Sequence, residues 1–77
     1  MRTYFKLSSA DEVIEEEALR EASLACKRVL AESRFVELTP RSHYLRQLQH
    51  QVAHKYDLNS MSVGEELNRR LRIYPRV

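Results

Sequence analysis

The chain has 77 residues, 43% apolar and 31% charged, with one Gly and two Pro; this is enough for one small domain, burying only about 60% of the surface its unfolded form exposes, and it excludes a low-complexity or mainly disordered chain. The single cysteine, Cys26, has no internal partner, which excludes a disulfide-stapled secreted mini-protein and points to a reducing compartment. The net charge of +2 hides an asymmetry: residues 1–40 carry six basic residues against eight acidic ones, whereas 41–77 carry seven, six of them Arg, against three, together with all three histidines.

Residues 1–8 are an unpatterned lead-in to which no function is assigned. Ser9-Ala-Asp-Glu12 fits a capping box and predicts the start of a helix. Ile14, Ala18, Ala22, Ala25 and Val29 then recur at spacings of three and four, with Cys26 and Leu30 at the border of the stripe. Acidic residues crowd the first turns and Lys27 and Arg28 the last, the order a helix dipole favours. The acid run reads as a solvated helix face and Cys26 as a buried thiol, so this helix is a scaffold.

Phe35-Val-Glu-Leu38 is rich in strand formers and is stopped by Pro40, which predicts a brief strand. Thr39 offers an N-cap for a second helix with Pro40 at its first position. In that helix Leu45, Leu48, Val52 and Tyr56 fall within about 80° of one another and form the expected core face. Arg46, His50, His43, His54 and Gln47 spread over about 100° of the other side, a separate stripe of hydrogen-bond donors. After Tyr56–Asn59, Met61–Gly64 and Arg70–Tyr74 alternate as two strands of a hairpin connected by Glu65–Asn68, with Leu71 and Ile73 facing the helices. The expected fold is a small α/β (α+β) domain over 9–77 in the order α-β-α-β-β: a three-stranded sheet with two helices on one face.

Arg46 and His50 are four apart, so on a helix they stand one turn from each other and are expected to project side by side into solvent toward one anionic group. The ordered set Arg46-Gln-Leu-Gln-His50, then Leu58-Asn-Ser-Met-Ser62-Val-Gly64-Glu65, then Asn68-Arg69-Arg70, resembles the R-3-H domain family, named for its Arg and His with three residues between. The likeness covers about 37–75. It implies a small α/β module that binds single-stranded nucleic acid, usually as one part of a larger protein. The closing stretch Gly64–Pro75 looks most like the version attached to AAA-type ATPases of cyanobacteria and plastids. The chain itself holds no phosphate-binding P-loop, since one glycine cannot form it.

The residues themselves carry compatible chemistry. Arg46 can clamp phosphate oxygens or stack on an unpaired base, and His50 can donate one turn away. Arg69 and Arg70 offer a second phosphate contact, with the Ser62 hydroxyl and the Gly64 backbone nearby. The expected partner is therefore single-stranded RNA or DNA, bound weakly and with little sequence preference. Tyr44 and Tyr74 are read as packing residues before base-stacking ones. Two other classes compete. His50 and His54 have zinc-ligand spacing but lack further ligands, and Ser62 with His50 and Glu65 is a triad that nothing in the spacing demands; no cofactor, metal or catalysis is expected. A protein-interaction or structural module is the alternative, with Arg46 paired to Glu65 or Glu66 as a local polar network. No apolar run approaches the roughly 20 residues that span a bilayer and no leader pattern is visible, so a soluble protein is expected, cytoplasmic or else plastid or nuclear.

Overall fold

In the computed structural model, which describes residues 9–76 and their side chains from Ile14 onward, the elements run α1 (Ser9–Glu32), β1 (Val36–Glu37), α2 (His43–Lys55), β2 (Asn59–Val63), a 3-10 turn (Glu66–Asn68) and β3 (Arg70–Tyr74). The lead-in 1–8 and the capping-box side chains of Ser9 and Glu12 lie outside what is described. Helix α1 buries Ala18, Ala22, Ala25, Cys26 and Val29, small residues that let the rest of the domain approach its backbone closely. Burial pushes the Cys26 thiol pKa up, as expected of an inert core cysteine. Ile14 and Leu30, placed on or beside the core stripe by periodicity, are instead 41% and 57% exposed. At 24 residues α1 outlasts the 13-residue α2, so its outer turns have less to pack against. The helix also runs past Lys27 and Arg28 and holds no basic residue in its last turn; it stops where Ser33 adopts a left-handed φ of 58° and its amide returns to the Val29 carbonyl at 2.8 Å.

The three strands form an antiparallel sheet in the order β1-β3-β2. Alternation along β3 buries Leu71 and Ile73 against the two helices, while Arg70, Arg72 and Tyr74 take the opposite face. Beyond β1 the chain continues alongside β3, with the Leu38 amide on the Leu71 carbonyl at 2.8 Å and the Arg41 amide on the Arg69 carbonyl at 3.2 Å.

Thr39 does not cap α2. Its amide and hydroxyl both donate to Glu21 of α1, at 2.8 and 2.7 Å, and Arg41 Nη2 donates to the same carboxylate at 3.2 Å. With Thr39 committed elsewhere, Ser42 becomes the N-cap, its hydroxyl accepting from the Leu45 amide at 3.3 Å. The buried residues of α2 also differ from the apolar stripe: Arg46, Gln49 and Ala53 are innermost, whereas Leu45, Leu48, Val52 and Tyr56 are half-buried. Helix α2 is wedged between α1 and the sheet, so its deepest line lies between those two contacts. Gln49 serves that position by donating Nε2 to the Ala18 carbonyl at 2.9 Å, and the Tyr56 and Ser23 hydroxyls meet at 3.0 Å. At its C-terminus the Leu58 amide reaches the Ala53 carbonyl at 2.9 Å over a left-handed Asp57.

Candidate nucleic-acid interface

On β2 the helix-facing positions are Ser60 and Ser62, opposite the buried Ile73 and Leu71 of β3. Two small hydroxyl residues stand where an edge strand under a helix would ordinarily carry large apolar ones. The space this leaves is a cleft of about 360 Å³ between α2 and β2, lined by His43, Arg46, Gln47, His50, Ser60 and Ser62 among others. Arg46 comes from the first turn of α2 and His50 from the next, so the helix repeat sets both over the serine pair.

The geometry of the pair differs from the expectation of two side chains in open solvent. Arg46 is only 8% exposed. Its Nε donates to the Ser62 hydroxyl at 3.3 Å and its Nη1 to the Arg41 carbonyl at 2.8 Å, which lays the guanidinium along the floor of the cleft. The reason is the serine pair: the long side chain fills room that β2 leaves empty and finds acceptors there. His50 is exposed at the rim, with Nδ1 hydrogen-bonded to the Ser60 hydroxyl. Neither Glu65 nor Glu66 pairs with Arg46, and no carboxylate among the described residues lies within 4.0 Å of it.

A second cleft of about 470 Å³ adjoins the first and shares His43 and Arg46 with it, adding Arg41, Glu66, Leu67 and Arg69. Arg69 thus stands near Arg46, on the far side from His50. Arg70 does not join them. It points to the other face of the sheet, where its Nε donates to Glu37 at 2.8 Å and its Nη1 to the Asn68 carbonyl at 3.0 Å. Arg72 shares the same carboxylate, its Nε at 2.8 Å; hydrogen bonds from Arg70 and then Arg72 hold the Glu37 carboxyl below the usual carboxylate range. Gly64 lies in the β2–β3 connection with φ 91°, packed against Asn68 and Arg70 rather than facing either cleft.

Of the six sequence-predicted residues, Arg46, His50 and Ser62 share the first cleft, Arg69 lines the second, and Gly64 and Arg70 lie apart from both. Sequence reasoning missed Ser60 and the Arg41 backbone. Ser60 could have been found, because on a strand it shares a face with Ser62; the Arg41 carbonyl could not, since it depends on how a connector is folded.

The profile of the R-3-H domain matches residues 16–75. An uncharacterized protein of Porphyra purpurea, ycf45, is 45% identical over 73 residues, which is 94% of this chain and 13% of that protein. The chain therefore spans a small fraction of the length of the relative it matches. With the Arg and His that name the family standing one turn apart on α2 and lining one cleft, and a match over most of the sequence, the chain belongs to the R-3-H domain family, a family of nucleic-acid-binding modules.

Proposed function

We propose that this domain is a non-catalytic module that binds single-stranded RNA or DNA weakly and with little sequence preference, holding phosphates at the cleft between α2 and β2. One observation carries the reading: Arg46 is a largely buried guanidinium with no carboxylate partner among the described residues. Burying a cation without a counter-charge is costly, and a phosphate oxygen supplies that charge together with an acceptor suited to the guanidinium fork. His50, exposed at the rim with Nδ1 on the Ser60 hydroxyl, adds its other ring nitrogen as a donor to the same anion, and Arg69 in the adjoining cleft offers a contact to the next phosphate. Ser62 serves by orienting Arg46. Gly64 and Arg70 support the hairpin that places Ser60 and Ser62. Duplex is a poorer fit, because among the described residues neither α2 nor β2, which carry the cleft, projects to enter a groove.

The same proposal makes the domain one module of a longer protein, with an AAA-type ATPase as the parent that its closing stretch resembles; the 13% share of the Porphyra relative supports the modular part. No helix among the described residues is long and apolar enough to cross a membrane.

A second reading has its own observation. Because Arg46 already bonds the Arg41 carbonyl and Ser62, the motif could be a structural strut in a protein-interaction module. Fluorescence anisotropy of labelled single-stranded RNA, single-stranded DNA and duplex, at two salt concentrations, separates the two. His50 is exposed, so His50→Ala is expected to leave thermal stability in place and weaken single-strand affinity by about three- to tenfold. Arg46→Ala is expected to lose roughly tenfold or more, the range for hydrogen bonds to a charged group. Unchanged binding by folded variants would leave the strut as the better account.

A further inference from the structure

The face of the sheet turned away from the helices carries a different chemistry from the cleft. The antiparallel register places Glu37 across from Arg72, and Phe35, just before β1, lies against Tyr74 on the same face. The two rings lie 6.0 Å apart, tilted by 51°, and the Arg72 guanidinium sits over Phe35 at 4.7 Å from its centroid and over Tyr74 at 6.0 Å. Phe35 is nonetheless 52% exposed, and Met61, the β2 neighbour of Arg72, is 58% exposed. Packing would bury these groups more deeply.

We propose that this face is a base-stacking platform, on which an unpaired base of a strand held in the cleft lies against Phe35 and the Arg72 guanidinium. The inference deepens the nucleic-acid reading and rests on it. Three features select this occupant. The platform is ordered before any ligand arrives, because Glu37 holds Arg72 through both Nε and Nη2, so stacking costs little side-chain freedom. Arg70 and Arg72 outnumber Glu37, leaving the patch cationic and complementary to a polyanion. The patch is also continuous with the cleft: Met61 lines the cleft with His50 and pairs with Arg72 across the β2–β3 ladder. Once the strand has rounded the β2 edge, crossing from β2 to β1 on this face spans two strand spacings, about 10 Å, which about three nucleotides of stacked strand cover. Aromatic rings and guanidinium planes accept any base, in keeping with low sequence preference.

The test uses anisotropy of the full chain with a labelled oligodeoxythymidine and with the same backbone carrying abasic sites in place of the bases. The wild type is expected to bind the base-bearing strand at least about fivefold more tightly, the lower end of what stacking one base contributes. Phe35→Ala should erase that preference without changing abasic affinity, Phe35→Tyr should keep it, and His50→Ala should weaken both strands alike. Should Phe35→Ala fail to fold, Phe35→Leu keeps the apolar contact and removes only the π face. A wild type without preference for bases, or a Phe35→Leu variant that retains it, overturns the platform while leaving the cleft standing, and assigns the face to a protein partner. Loss at Phe35 with no effect of His50→Ala or Arg46→Ala supports the platform and removes the cleft instead.

Discussion

A β-carbon at Gly64 would lie 2.5 Å from the Asn68 carbonyl oxygen and 2.6 Å from Arg70 Nη1. The arginine could swing aside, but the carbonyl is held, since it accepts from Arg70 and the Asn68 amide is bonded to the Glu65 carbonyl at 2.8 Å. With φ at 91° any side chain is strained as well. Gly64→Ala is thus expected to destabilise the domain by about 2 kcal/mol, seen as a lower urea midpoint at unchanged slope. Gln49 presents the reverse case. Among the described residues its buried Oε1 has no hydrogen-bond partner, and the carbonyl its Nε2 reaches lies within α1. Gln49→Leu keeps the volume and removes the unsatisfied acceptor, so it should be neutral or stabilising by up to about 1 kcal/mol in the same urea titration. A loss greater than that would mean the amide tie between the helices outweighs the stranded oxygen.

Between elements, the contact that fixes the β1–α2 connector to α1 is the Glu21 carboxylate. Burial alone would raise its pKa, but the Thr39 amide, the Thr39 hydroxyl and Arg41 together hold it below the ordinary 4.5. A carboxyl lowered in the folded state contributes stability that is whole above its unfolded value and is lost as pH falls through the lowered one. Glu37, lowered by Arg70 and Arg72, acts in the same direction. Glu21→Gln should therefore cost stability at pH 7, by about 1–2 kcal/mol for hydrogen bonds to a charge, and should shrink the difference between melting temperatures at pH 7 and pH 3. Glu37 keeps part of that difference in the variant. These same ties explain what could be read in advance. Alternation along β3 and the small-residue stripe of α1 were visible because each follows from one local period. The cap at Ser42 was not, since Thr39 is diverted by a glutamate 18 residues away. The burial of Arg46 and Gln49 was not either, because two polar residues lie at the centre of a helix packed on both sides, and no single stripe marks that line. The spacing of Arg46 and His50 put them one turn apart on α2 and suggested two side chains in open solvent; that Arg46 instead forms the floor of a cleft depends on the serines of β2.

Across the described residues, Arg46 and Arg69 line the two adjoining clefts beside His43 and His50 and are in no ion pair, whereas Arg41, Arg70 and Arg72 pair with Glu21 or Glu37; Arg20, Lys27 and Lys55 are likewise in no ion pair but lie outside both clefts. The two cleft arginines can release counter-ions from a bound strand without first breaking an ion pair. If Arg46 and Arg69 each neutralise a phosphate, log affinity for a single strand should fall against log salt with a slope of about −1.4, at roughly −0.7 per contact. Arg69→Ala should bring the slope closer to zero by about 0.7 and weaken all sequences equally. Phe35→Ala should lower affinity and leave the slope unchanged, since stacking releases no ions. A salt-independent affinity would exclude phosphate as the group that meets Arg46, and with it the counter-charge for an arginine that is buried with no carboxylate partner among the described residues.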